Sequence, residues 1–355
     1  MTVSTSPHSI ANVIYGCAGL KLSSREAAFF KQVSPAGFIF FKRNVANPGQ
    51  FKALVSACRD TVNSRPALFL IDQEGGRVER LQPPYWRHAP SMGSFGHAYE
   101  MLGDEHKLVE EALSLNTRLL AIDLRHLGLN VNCLPLLDVP IMGADNIIGD
   151  RVFCENIDTI THLGAIVCAA LRFEGVLPVI KHIPGHGRGS VDSHKALPVV
   201  DTPLEQLIAS DFKAFRPFRD EALAMTAHIR YSAIDASEPA TFSKIIVEDI
   251  IRTHMGFNGL LMSDDLSMGA LKGSFALRAK KTMAAGVDLL LHCNGDFQEM
   301  QEIAENVKPL DKQQFEKLFL ATNALPIAFS NRTIIEAELD SLLKKISKKL
   351  KNKIK

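Results

Sequence analysis

Residues 257–272, FNGLLMSDDLSMGALK, contain an apolar run, Leu260 to Met262, that ends almost at once on two carboxylates, Asp264 and Asp265. A short continuous apolar run next to a glycine suits a strand covered on both faces, as in a parallel sheet. Working outward, seven more runs of this kind recur along the chain: Val13 to Cys17, Gly37 to Phe41, Leu68 to Ile71, Val131 to Leu134, Val179 to Ile180, Ala224 to Ala227 and Asp288 to Leu291. The amphipathic stretches between them suit crossover helices. Eight βα alternations predict an α/β fold with a single (β/α)8 TIM barrel. Past about Leu325 the pattern becomes helical, so residues 1–330 are expected to form the barrel and 331–355 a basic C-terminal helix or tail.

Most runs stop at a residue capable of chemistry. The third ends at Asp72, the fifth at Lys181 and His182, the sixth at His228, the seventh at Asp264 and Asp265, and the eighth at His292 and Asn294. Barrels of this class gather their active sites from the C-terminal ends of the strands and the loops beyond. The longest insertions follow the third run, Glu74 to about Gly103, and the fifth, Pro184 to about Thr202. The first is rich in Gly, Pro and aromatics and carries the only tryptophan, Trp86, as a substrate-facing loop would.

The 355 residues are 46% hydrophobic and 22% charged, the composition of a globular protein, and one barrel with loop insertions accounts for this length. A net charge of +1 offers no broad footprint for nucleic acid. The charge is nevertheless unevenly placed. Residues 344–355 hold seven lysines and no acid, so the remainder carries a formal −6. Leu339, Leu342, Leu343, Ile346, Leu350 and Ile354 recur there at helical spacing, which fits either a solvated basic face or contact with anionic lipid or nucleic acid. Six singly scattered cysteines and an N-terminus without a basic, apolar leader predict a reduced, cytoplasmic protein. No run has the length needed to cross a bilayer. A monomer is expected.

The densest stretch is 181–194, KHIPGHGRGSVDSH. Glycines and a proline around His186 let the backbone approach a ligand closely, and Lys181 and His182 at the strand end can donate to sugar hydroxyls. Asp192, two residues before His194, can fix its tautomer and raise the basicity of its free nitrogen, making His194 a proton shuttle near neutral pH. Asp264, nearer its strand, is the candidate nucleophile, and Asp265 is a candidate cap for a following helix or a holder of neighbouring groups. In DQEGGRVER, residues 72–80, Asp72 can bind two hydroxyls, and Arg80 and Arg151 can add donors to the same ring. Each arginine can equally serve only in an ion pair. A metallohydrolase centre built from the histidines and Asp264 and Asp265 is disfavoured, because the H-x-H usual after an early strand in such barrels is missing.

The segments FFKRNV, DQEGGRVER, IGDRVF, KHIPGHGRGSVDSH, MTAHI and GLLMSDDLSMGAL, in this order, resemble glycoside hydrolase family 3, and within it the bacterial β-N-acetylglucosaminidases of peptidoglycan recycling. The likeness runs from about Ile14 to Gly295. It implies Asp264 as nucleophile, His194 partnered by Asp192 as acid/base, and Asp72, Arg80, Arg151, Lys181 and His182 as the residues binding a terminal N-acetylglucosamine. It also implies no metal and no organic cofactor, with a small muropeptide-derived saccharide as partner. The single-barrel length argues against the two-domain members, whose acid/base comes from a second domain. Two rivals stand beside this reading. Phosphate could replace water, since a neutral histidine repels it less than a carboxylate would. Alternatively, the barrel only binds cell-wall sugars.

Overall fold

The computed structural model describes residues 9–63, 65–141, 148–189, 191–193, 195–326 and 329–353. Its strands are β1 (Ala11–Gly16), β2 (Pro35–Phe40), β3 (Leu68–Ile71), β4 (Val131–Asn132), β5 (Leu177–Pro178), β6 (Ile180–Ile183), β7 (Val199–Val200), β8 (Leu223–Thr226), β9 (Arg230–Tyr231), β10 (Leu260–Asp265) and β11 (Leu289–His292). β7 and β9 pair as a small separate ribbon. The other nine form one parallel sheet in the order β5, β4, β3, β2, β1, β11, β10, β8, β6.

The two ends of that order are consecutive in the chain, separated only by Val179, so the sheet returns to itself. The Val179 amide donates to the carbonyls of Asn132 and Leu134, at 3.0 and 3.2 Å, and the Lys181 amide to that of Pro135 at 3.1 Å. β5 and β6 are thus one stave, paired with β4 on one side and β8 on the other, and the barrel has eight staves. The expected fourth and fifth strands differ from the observed ones here. Pro135 and Pro178 bring no N–H to the ladder, which ends β4 at Asn132 and interrupts the facing stave. The seventh run extends further than expected, to Asp265, so both carboxylates lie on the strand itself.

Alternation along the strands separates two cores. Ile14, Leu70, Val131, Val179, Met225, Met262 and Leu291 fill the barrel interior. Their neighbours Tyr15, Phe38, Phe69, Ile180, Ala224, Leu261 and Leu290 face outward into the packing of the surrounding helices. Leu318, on helix Lys312–Asn323, joins the interior cluster and closes the N-terminal end of the barrel. Side chains therefore pack this end among the described residues, and the cavity lies at the other.

The C-terminal helix, Arg332–Lys353, buries Ile335, Leu339, Leu342 and Ile346 against helix His106–His126. Arg332 pairs with Asp123 at 2.9 Å near the end of that helix, and Lys349 reaches Glu105 just before its start. The two helices are therefore antiparallel. Because His106–His126 leads down into β4, the lysine-rich end lies at the C-terminal, loop-bearing end of the barrel.

Candidate active site

At that end the strands surround a cavity of about 310 Å³ lined by Asp72, Arg80, Arg151, Lys181, His182, His186, Ser193, Asp264 and Asp265, among others. Its floor is an alternating set of charges. Lys181, almost fully buried on β6, donates from Nζ to Asp72 Oδ1 at 2.9 Å and to Glu74 Oε1 at 2.7 Å. Arg151 grips Glu74 with two bonds, at 2.9 and 2.8 Å, and Arg80 reaches Asp72 Oδ2 at 3.3 Å. Burial alone would push both carboxyls upward. For Asp72 the cations Lys181 and Arg80, and for Glu74 Arg151 and Lys181, outweigh it and hold both below their usual range. Lys181 is pulled down by burial and up by Asp72 and Glu74, with a net rise. Without Lys181 two carboxylates would share a dry site, a loss of several kcal/mol by order of magnitude. A polyhydroxylated ligand meets fixed, fully ionised donors and acceptors here.

Asp138 organises the next layer. It is fully buried and accepts from His182 Nδ1 at 2.8 Å, from the His182 amide at 3.2 Å and from the His186 amide at 2.6 Å. Burial raises its pKa, but His182 and His186 bring it to about 2. The carboxylate therefore fixes the proton on Nδ1 of His182 and leaves Nε2 available to a ligand. His186 Nε2 bonds Ser193 Oγ at 3.2 Å, and the Ser193 carbonyl accepts the Ala270 amide at 3.0 Å. The Gly-rich loop is tied in this way to the turn that follows β10.

On β10, Asp264 Oδ1 accepts the Asp265 amide at 2.8 Å. Burial raises the Asp264 pKa, but His228, His182, that amide and Lys181 together lower it below the usual range. Asp265 accepts from the amides of Ser267 and Cys293, at 2.9 and 3.1 Å, and from Ser267 Oγ at 2.5 Å. It caps no helix, because the next helix, Phe275–Ala284, is capped by Ser274. His228 is fully buried beneath the pair; its Nε2 donates to the Asp265 carbonyl at 2.9 Å and its Nδ1 meets Thr241 Oγ1 at 2.7 Å.

Six of the sequence candidates, Asp72, Arg80, Arg151, Lys181, His182 and Asp264, therefore line one cavity. Asp192 is described, and its carbonyl accepts the amides of Lys195 and Ala196. His194 lies outside the described residues. Trp86 does not line the cavity; with Tyr85, Lys52, Asp123, His126 and Arg332 it borders a separate hollow on the flank. Glu74 and Asp138 were missed. Glu74 had a signal, a second carboxylate two residues after Asp72. Asp138 follows a short apolar stretch, LPLL, beyond the end of β4, where no strand-end rule points. Among the described residues no group of three or more His, Cys, Asp and Glu is placed to hold a metal ion.

His186 makes stability depend on pH. Burial, helped by His182 and opposed by Asp138 and Asp264, lowers its pKa from 6.5 to about 4. The unfolded chain takes up this proton below 6.5 and the folded protein only near 4, so stability is lost as pH falls through that window. Asp138, with a folded pKa of about 2 against 3.8, adds a separate loss below that window. Denaturant midpoints of His186→Gln are expected to fall less than those of the parent across the first window and equally in the second. Equal slopes in both would remove the ring from this account.

A model of the glycosyl hydrolase family 3 N-terminal domain matches residues 9–318. The chain belongs to glycosyl hydrolase family 3. This family 3 chain is 36% identical over 286 residues to a beta-hexosaminidase of Methylococcus capsulatus, covering 79% of this chain and 82% of that one. A beta-hexosaminidase of Idiomarina loihiensis is 31% identical over 330 residues, covering 91% and 97%. Among solved structures, NagZ from Neisseria gonorrhoeae in complex with N-trifluoroacetyl-D-glucosamine is 28% identical, with a TM-score of 0.82 over 95% of this chain and 99% of that one.

Proposed function

We propose that this glycoside hydrolase is a β-N-acetylhexosaminidase, a retaining exo-acting enzyme that removes terminal N-acetylglucosamine from β-1,4-linked (anhydro)muropeptides during cytoplasmic cell-wall recycling. The observation that carries the reading is the placement of Asp264 in one small cavity with the Asp72, Lys181, Glu74 and Arg151 charge set. Its 310 Å³ is at the small end of ligand pockets, which favours one terminal ring over a polymer threading through.

In this reading Asp72, Lys181, Arg80, Arg151 and His182 hold the ring through its hydroxyls and N-acetyl group. Asp264, held ionised, attacks the anomeric carbon while protonated His194 gives its proton to the departing oxygen. Neutral His194 then takes a proton from water, which releases the sugar with β configuration retained, and Asp192 steadies the imidazole throughout. A histidine suits the shuttle because its ordinary pKa already lies near neutrality. No metal or organic cofactor takes part.

The deciding assay is turnover of a chromogenic β-N-acetylglucosaminide with the first product's anomer followed by NMR. The β anomer of free N-acetylglucosamine, formed equally with and without phosphate, supports the proposal. A sugar phosphate would make the protein a phosphorylase, and no turnover would leave a binding barrel.

Asp138→Asn tests the positioning of His182. Losing a charged acceptor in a dry site costs about 1.5–3 kcal/mol, so kcat/KM is expected to fall roughly tenfold to a hundredfold. The loss should appear mainly in KM, since His182 holds the ring and does not move the proton. A fall confined to kcat would place His182 in the chemistry instead.

A further inference from the structure

We propose that the C-terminal helix Arg332–Lys353 is an electrostatic docking face for a membrane surface rich in anionic phospholipid headgroups, with Lys344, Lys345, Lys348 and Lys351 as its contacts. Lys344, Lys348 and Lys351 stand at i, i+4 and i+7 and share one face, opposite the buried Leu339, Leu342 and Ile346. All four contact lysines are exposed, and within residues 344–353 only Lys349 has an acidic partner among the described residues, Glu105. The strip packs several unneutralised charges into roughly 10 Å of helix.

Neither folding nor the helix dipole accounts for them. The helix is anchored by its apolar face, and the dipole favours cations only within the last turn, which leaves Lys344, Lys345 and Lys348 unexplained. The rest of the chain carries a formal −6, so the molecule is strongly polarised in charge and a negative plane would turn the lysine face toward itself. Nucleic acid fits less well. Residues 333–353 contain no arginine to fork a phosphate and no aromatic ring to stack on a base. The strip lies at the cavity-bearing end of the barrel, so docking would hold the catalytic mouth close to the surface.

The test is co-sedimentation of the full chain with phosphatidylcholine vesicles, with or without phosphatidylglycerol, at low and high salt. Binding is expected only with phosphatidylglycerol and only at low salt. The triple variant Lys344→Gln, Lys348→Gln, Lys351→Gln should lose roughly fivefold in partition per lysine, about a hundredfold in all. Its hydrolysis of a soluble chromogenic substrate should be unchanged, which shows that it is folded. No binding to anionic vesicles at low salt, equal binding to neutral vesicles, or an unaffected triple variant would overturn the proposal. So would tighter binding to a short DNA or RNA duplex than to the vesicles, measured at the same salt.

Discussion

Asp264→Ala is expected to abolish turnover, with a loss of roughly 10⁴ to 10⁶-fold, the scale on which covalent catalysts respond to losing their nucleophile. Stability should change little, because the side chain is half-buried and, among the described residues, hydrogen-bonds only the Asp265 amide. Asp265→Ala should behave in the opposite way. Its carboxylate ties down Ser267 and, at the end of the neighbouring strand β11, the Cys293 amide, so the variant should suffer first in folding. A 5-fluoro glycosyl probe followed by peptide mapping separates the roles directly, since the trapped sugar should be found on Asp264. A label on Asp265 or Asp72 would reassign the nucleophile and with it the geometry of attack.

Loss of His194 should be equally large on a natural disaccharide and much smaller on an activated aryl glycoside. A poor leaving group needs a proton as the bond breaks, while an activated one departs unaided. With the second step deprived of its base, the glycosyl-enzyme should accumulate, giving a burst and a low KM on the activated substrate. Azide needs no base, so it should restore part of the turnover and yield the β-azide. Asp192→Ala should be a weaker copy, because it removes only the orientation and tuning of the imidazole. If both substrates slow equally and no anion helps, His194 binds or supports, and the shuttle must be sought at His182, His186 or His228.

The barrel was readable because each stave is an apolar run covered on both faces, and such runs differ from helical stretches by period and length. The exception is residues 177–183, where Pro178 and the facing Pro135 interrupt a ladder that local pattern treats as continuous. The candidate site divides in the same way. Asp72, Lys181, His182 and Asp264 stand at strand ends, where the direction of a parallel barrel already places function. Glu74 and Asp138 have no such address, since they act through partners distant in sequence: Glu74 with Lys181 and Arg151, Asp138 with two histidines 44 and 48 residues on. The insertion after β3 does face the cavity through Val78 and Arg80, but Trp86 borders the flank, because composition marks a loop without saying which way each side chain turns. Of the two roles open to Asp265, the holder of neighbouring groups is the one observed, since it binds Ser267 and the Cys293 amide while the next helix starts ten residues later.

The bond from the Ala270 amide to the Ser193 carbonyl, with His186 clasping the Ser193 hydroxyl, has a consequence for how this enzyme can change. The loop proposed to deliver the proton and the turn leaving the nucleophile strand behave as one heritable unit, although some seventy residues separate them. A deletion between Ser267 and Leu271 should therefore produce the kinetic signature of a damaged acid/base, with poor leaving groups suffering most. Compensating changes should be recovered between Arg188 and Ser193, so libraries that randomise either segment alone should return fewer active clones than libraries that vary both.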